Sequence, residues 1–335
     1  MAHDLPLVCE DRNKEGIGVV VICILAALLA VFLLVGLRVV NFAFRRHPIA
    51  DPLDPEVLKT TPWVQYEPNI SNAAAWLKTQ TIRPLQVVSY DNKLLFGRFI
   101  PCQDAKATIL LFHGYRSHFA VDFSASMRYY HEQGYNLLLV DQRAHGQSGG
   151  TYITFGVKER YDVLSWVTYL SMMLGEDHPM FLSGLSMGAA TVCMAADMEF
   201  PANVRGIIAD CGFTSAADIL ALTAQQQYHI SPRLALPFVD LFTRLFCGFG
   251  LQEQSTTQAL ANSRLPVAFF HGLDDKVVPC DMFRRAYAAC AGRKILTEFP
   301  GAAHGTSWLT DEARYKQVLD EFMQQCLREE PVYAS

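Results

Sequence analysis

Two kinds of apolar pattern divide this chain. Residues 16–37 carry no charge and no proline, and no polar stripe breaks the run. As a helix these 22 residues span about 33 Å, enough for a hydrocarbon core of about 30 Å. A buried core helix of a soluble domain shows a polar face. A cleaved signal peptide has a shorter apolar region, of about 7–15 residues, ending in a small-residue cleavage site. This segment is longer and runs into Arg38-Val39-Val40-Asn41-Phe42. It reads as a retained transmembrane anchor over residues 16–40, after a tail of residues 1–15.

The second pattern begins after residue 84. Residues 85–90 and 94–100 predict a hairpin around Asp91-Asn92-Lys93. Short continuous apolar runs follow at 107–112, 136–140, 180–182, 204–209, 267–270 and 294–299. Between them lie segments long enough for helices. Strands that are apolar throughout, alternating with helices, predict an α/β fold with a mostly parallel central sheet covered on both faces. Residues 85–330 are expected to form this domain. Residues 41–84 are punctuated by proline and read as a linker, with one short helix over 72–79 capped by Ser71 or Asn72. Between the runs at 204–209 and 267–270 the interval is too long for a simple crossover. It contains helix-like stretches at 216–227 and 237–246, so residues 213–263 are expected to form a helical cap. Open α/β sheets bind ligands at their C-terminal edge, and the cap is expected there.

Composition narrows the classes. Apolar residues reach 51% and charged residues 18%, which excludes disorder. The chain is too long for a small disulfide-stapled module. Net charge is −5, and no Lys/Arg run exceeds two residues, so nucleic acid is not an expected partner. Arg12 and Lys14 precede the anchor, whereas Arg38, Arg45 and Arg46 follow it. By the positive-inside rule this favours the C-terminal part on the cytoplasmic side. The seven cysteines beyond the anchor, odd in number and without framework spacing, point to free thiols.

The candidate chemistry lies in loops after the apolar runs. Gly184-Leu185-Ser186-Met187-Gly188 is a G-x-S-x-G between a predicted strand and a predicted helix, the setting of a nucleophile elbow. A serine hydroxyl needs a base, and the base an orienting carboxylate, in the chain order Ser, acid, His. His304, on the glycine-rich loop after the last run, is the expected base. The preceding loop offers Asp274 and Asp275 within H-G-L-D-D-K-V-V-P at 271–279. The spacing favours Asp275, leaving Asp274 as a turn residue and Asp210 as a third option. Leu111-Phe112-His113-Gly114-Tyr115 ends another strand. Oxyanion donors are expected from the Tyr115 and Met187 N–H groups, with His113 shaping the loop and Gly114 allowing close approach.

These motifs, with D-Q-R-A-H-G-Q-S-G at 141–149, resemble the α/β-hydrolase superfamily. Within it the similarity is to single-anchor membrane serine hydrolases of the serine-aminopeptidase-like branch. The resemblance covers residues 85–328 and implies the α/β-hydrolase fold with a Ser186–Asp275–His304 triad. It also implies an ester, thioester or peptide substrate. Asp141 and Arg143 are expected to be structural, fixing the loop near the site. With no metal-ligand spacing and no dinucleotide or phosphate-loop motif, no cofactor and no metal are implied. The leading expectation is a membrane-anchored serine hydrolase acting on a small-molecule acyl ester or lipid-like substrate. Its rivals are a peptidase using the same residues and a non-catalytic membrane-bound scaffold.

Overall fold

The strands are β1 (Arg83–Val88), β2 (Leu94–Ile100), β3 (Ala107–Phe112), β4 (Tyr135–Asp141), β5 (Met180–Leu185), β6 (Val204–Asp210), β7 (Val267–Gly272) and β8 (Lys294–Phe299). They form one sheet in the spatial order β1-β2-β4-β3-β5-β6-β7-β8. β2 pairs antiparallel with β1 and β4, and the remaining pairs are parallel. The structure, a computed structural model, describes residues 8–48, 51–60, 62–330 and 332.

Alternation along the central strands builds two cores, because successive side chains leave a strand on opposite faces. Leu110, Phe112, Leu138, Val140 and Leu182 enter one core. Ile109, Leu111, Leu137, Leu139 and Phe181 enter the other. The helices that set this architecture are α1 (Val8–Ala43), α2 (Glu67–Leu77), α3 (Glu159–Leu174), α4 (Met187–Met194), α5 (Ala216–Tyr228), α6 (Pro232–Phe242), α7 (Cys280–Ala289) and α8 (Glu312–Arg328). α3, α4 and α7 cover the first face, and α2 and α8 cover the second. Burial on both faces explains why these strands read as unbroken apolar runs.

The chain passes from β3 to β4 on one side, then to β5 on the other. The C-terminal ends of β3 and β5 therefore flank a topological switch point, where such sheets open a crevice.

Three features differ from the sequence expectation. First, α1 begins at Val8 and runs to Ala43, so residues 8–15 are helical; residues 1–7 of the expected tail lie outside the described residues. Within α1, Ile17–Ala43 is long and apolar enough to cross a membrane.

Second, the proline-punctuated stretch is not a bare linker. It holds a helical turn at Pro55–Leu58, a 3₁₀ turn at Pro62–Tyr66 and then α2. α2 starts at Glu67 and is not capped by Ser71 or Asn72. Pro68 lies in its first turn, where a missing N–H costs nothing and the fixed φ suits a helix. Ala73, Trp76 and Leu77 from α2 enter the second core, so this segment is part of the domain.

Third, the second helix of the cap starts five residues earlier than the expected 237–246. α5 is capped by Ser215, whose hydroxyl accepts the Asp218 N–H at 3.0 Å. α6 starts at Pro232, with Pro237 inside it rather than at its start, and continues as a π turn over Thr243–Cys247. α6 lies against α1: the Phe32 ring is 5.1 Å from Phe238 and 5.3 Å from Phe242. A Cβ on Gly36 would fall 2.0 Å from the Phe242 ring, so only glycine admits this approach. Past that crossing the end of α1 enters a third core. There Val40 and Phe44 are buried with Phe155, Met187, Phe213, Phe242 and Phe249.

Candidate active site

β5 ends at Leu185, and α4 begins two residues later. Ser186 makes the turn between them with φ 55° and ψ −115°, a conformation that costs an ordinary residue about 1–3 kcal/mol. The surroundings enforce it. The Ser186 N–H donates to the Asp210 carbonyl at 2.8 Å. Two glycines close the turn: a Cβ on Gly184 would lie 2.2 Å from the Gly188 backbone, and one on Gly188 would lie 1.8 Å from the Phe112 carbonyl.

His304 and Asp275 reach this serine from neighbouring loops. His304 Nε2 is 2.9 Å from Ser186 Oγ, and His304 Nδ1 is 2.7 Å from Asp275 Oδ2. Asp275 Oδ1 accepts the N–H groups of Val277 and Val278 at 2.8 and 2.9 Å. His271 Nε2 lies 2.8 Å from the Val278 carbonyl and 3.3 Å from Asp275 Oδ2. A carbonyl only accepts, so this nitrogen carries the proton. Burial alone would raise the Asp275 carboxyl. Hydrogen bonds from His271 and His304, the nearby imidazole charge and the Val278 N–H outweigh it and hold the group well below the usual carboxylate range. Of the alternatives, Asp274 is exposed and does not join the chain of hydrogen bonds. Asp210 is buried and takes a hydrogen bond from Ser307 at 3.2 Å.

The loop after β3 is fixed by residues that sequence reasoning missed or left without a role. The Gly114 N–H donates to Asp122 at 2.6 Å, and the Ser117 hydroxyl donates to the same carboxylate at 2.6 Å. The Arg116 N–H donates to His145 Nε2 at 3.0 Å. His113 holds the chain on both sides, with Nδ1 2.8 Å from the Gly114 carbonyl and Nε2 accepting the Gln142 N–H at 3.2 Å. Among the described residues these contacts leave the Tyr115 N–H without a partner, and likewise the Met187 N–H at the start of α4. Asp122 had no signal, being an isolated acid in an apolar stretch. His145 belongs to a motif that was read as structural. In that motif Asp141 pairs with Arg98 at 2.9 Å, and Arg143 pairs with Asp162 at 2.6 Å and Asp91 at 3.2 Å.

Residues 103–244 match the family model described as serine aminopeptidase, S33. The uncharacterized protein YqkD of Bacillus subtilis is 28% identical over 249 residues, covering 73% of this chain and 79% of YqkD. Among solved structures, the Pyrococcus furiosus esterase Pf2001 superposes with a TM-score of 0.57 at 22% identity, over 74% of this chain and 93% of that one. The Pyrococcus horikoshii acylaminoacyl peptidase superposes with 0.55 at 17% identity, over 79% of this chain and 44% of that one.

The chain has the α/β-hydrolase fold.

Beside Ser186 the chain has a cavity of about 290 Å³. Its walls come from the Gly114–Tyr130 segment, β5, the His304 loop and Trp308, and no residue of 213–263 lines it. The cap therefore does not line this cavity; its Phe238 and Phe242 pack on Phe32 of α1 instead. The lining is mixed: Trp308, Leu309 and Phe123 stand among Ser124, Ser126, Tyr130, Ser183, Asp122 and Asp210. Burial raises the Asp122 carboxyl against its two hydrogen bonds. Burial likewise pushes Asp210 up to about 6, opposed by His271, Ser307 and Tyr315. One further neighbour went unnoticed in the sequence. Cys211, at φ 48°, brings its thiol within 4.8 Å of the Asp275 and His304 ligand atoms. Burial, with Asp210 and Asp275 nearby, pushes that thiol well above its ordinary range, so it remains a neutral packing group.

Proposed function

We propose that this α/β hydrolase is a membrane-anchored serine hydrolase that cleaves a carboxylic ester or thioester through an acyl-enzyme on Ser186. The supporting observation is the hydrogen-bonded run Ser186–His304–Asp275. In this reading His304 Nε2 takes the Ser186 proton as Oγ attacks the carbonyl carbon. The same nitrogen then delivers that proton to the leaving oxygen or sulfur. In the second half-reaction His304 takes a proton from water as the water attacks the acyl-enzyme, releasing the acid and restoring the Ser186 hydroxyl. Asp275 keeps the Nδ1 proton in place and stabilises the imidazolium. The Tyr115 and Met187 N–H groups bind the developing oxyanion, where one such donor is worth about 10²–10³ in rate. A fluorophosphonate probe is expected to label the full chain and to leave Ser186→Ala unlabelled. Absence of labelling in folded wild type would refute the assignment.

A second reading, a peptidase for short peptides, is favoured by one observation. Asp122 and Asp210 line the cavity beside the nucleophile, and a buried carboxylate there suits an ammonium or amide donor on the acyl side. Short p-nitrophenyl esters and aminoacyl amides separate the two. Faster turnover of the esters is expected, and faster turnover of the amides would make the peptidase the primary activity.

A further inference from the structure

We propose that the exposed apolar face of α6 is sunk into the lipid bilayer beside α1, in the leaflet through which the anchor joins the domain. This rests on α1 being a membrane span. The depth follows from α1 itself. Arg38 is the first charged residue after the apolar stretch and marks the level of the headgroups. Phe32 precedes it by six residues, which places Phe32 about 9 Å deeper along the helix. Phe238 and Phe242 of α6 pack on Phe32 at 5.1 and 5.3 Å. A helix touching the anchor at that depth is at the acyl boundary, the level that interfacial amphipathic helices occupy by burying about 5–10 Å.

The surface of α6 fits that position. Leu234, Phe238 and Leu241 recur at spacings of four and three along one face of α6, and Leu245 follows in the π turn that continues it. Phe238 meets the anchor, while Leu234 is 74% exposed, Leu241 44% and Leu245 64%. Ile230 before the helix and Phe246 after it extend the patch. Leu29 and Leu33, within one turn of Phe32 on α1, are exposed as well and face lipid in the same reading. The charged residues of the helix sit beside this stripe: Arg233 is exposed, and Arg244 pairs with Asp240 at 2.7 Å. Long cationic side chains in such places carry their charge up to the headgroups. An apolar patch of this kind, left open to water, would be a liability. Lipid is the occupant that continues what already surrounds the anchor.

Three single-tryptophan additions to the full chain test this in vesicles of phosphatidylcholine and phosphatidylglycerol containing acyl-brominated lipid. Leu29→Trp reports the anchor, Leu245→Trp the α6 face, and Met172→Trp a control. Met172 is 83% exposed near the end of α3 that leads into β5, at the sheet edge opposite the switch point. Above the background of the four native tryptophans, quenching and a blue shift are expected at Leu29→Trp and Leu245→Trp but not at Met172→Trp. Quenching at Leu29→Trp with Leu245→Trp matching the control would overturn the proposal while leaving the anchor intact. A blue shift at Leu245→Trp without quenching would mean that protein, such as a second copy, covers the face, and would also overturn it. No quenching at Leu29→Trp would remove the anchor, and the α6 proposal with it. In that case the fluorophosphonate result at Ser186 still stands or falls separately.

Discussion

At Asp210 a buried carboxylate lies beside the serine without entering the run from Ser186 to Asp275. Its burial raises its pKa from 3.8 to about 6 in the folded chain. Between those values the native state holds a proton that the unfolded state has released, so this residue's contribution to stability falls as pH rises from about 4 to about 6. Asp275 acts in the opposite sense. Its carboxyl is depressed in the fold, so it stabilises the fold above its unfolded value and loses that contribution as pH falls through the folded one. Chemical denaturation of Asp210→Asn across this window is expected to show a stability difference from wild type that shifts in the variant's favour as pH rises. A difference that stays flat with pH would show that Asp210 does not titrate there. Ser186, His304 and the Asp274-Asp275 pair were legible because each sits in a short pattern after an apolar run. Asp122 and Cys211 were not. Their importance comes from which loops the sheet brings together, and neither has a neighbour in sequence that betrays it.

Among the elements, the strands were the most legible, since a strand buried on both faces leaves an unbroken apolar signature. The proline-rich stretch was misread because prolines that normally break helices instead sit at helix starts, as Pro68 does in α2. The cap was legible as helical and apolar, but composition gives no direction, and its partner turned out to be α1 rather than the cavity. The end of α1 is correspondingly part of the folded domain. Phe44 is fully buried, 5.6 Å from the Phe155 ring and 5.9 Å from the Phe249 ring. The Tyr115 hydroxyl donates to the Ala43 carbonyl at 2.7 Å. Removing a buried phenyl ring typically costs about 3–5 kcal/mol. Phe44→Ala in the full chain is therefore expected to lower the unfolding midpoint in detergent clearly, whereas Phe42→Ala, at a position 63% exposed, should leave it nearly unchanged. Equal behaviour of the two variants would mean that the end of α1 is only a tether.

Over the whole molecule, three separate cores converge on one turn. The first core supplies α4 behind the elbow, the second carries the strand that ends at Asp210, and the third packs Met187 with the end of α1. Sequence could foresee the sheet and the order of its loops, but not that a membrane-type helix would close the third core, because that contact joins residues far apart in the chain. The left-handed backbone of Ser186 draws on all three. Strain of about 1–3 kcal/mol persists only where the surroundings over-determine it, and here they do so through Gly184, Gly188 and the Asp210 carbonyl. A chain that has made its secondary structure but not yet joined these cores has no reason to hold the serine upright. In the proposed function, reactivity toward a phosphonate would then count finished molecules rather than polypeptides, and half-assembled copies in a cell would carry no stray activity.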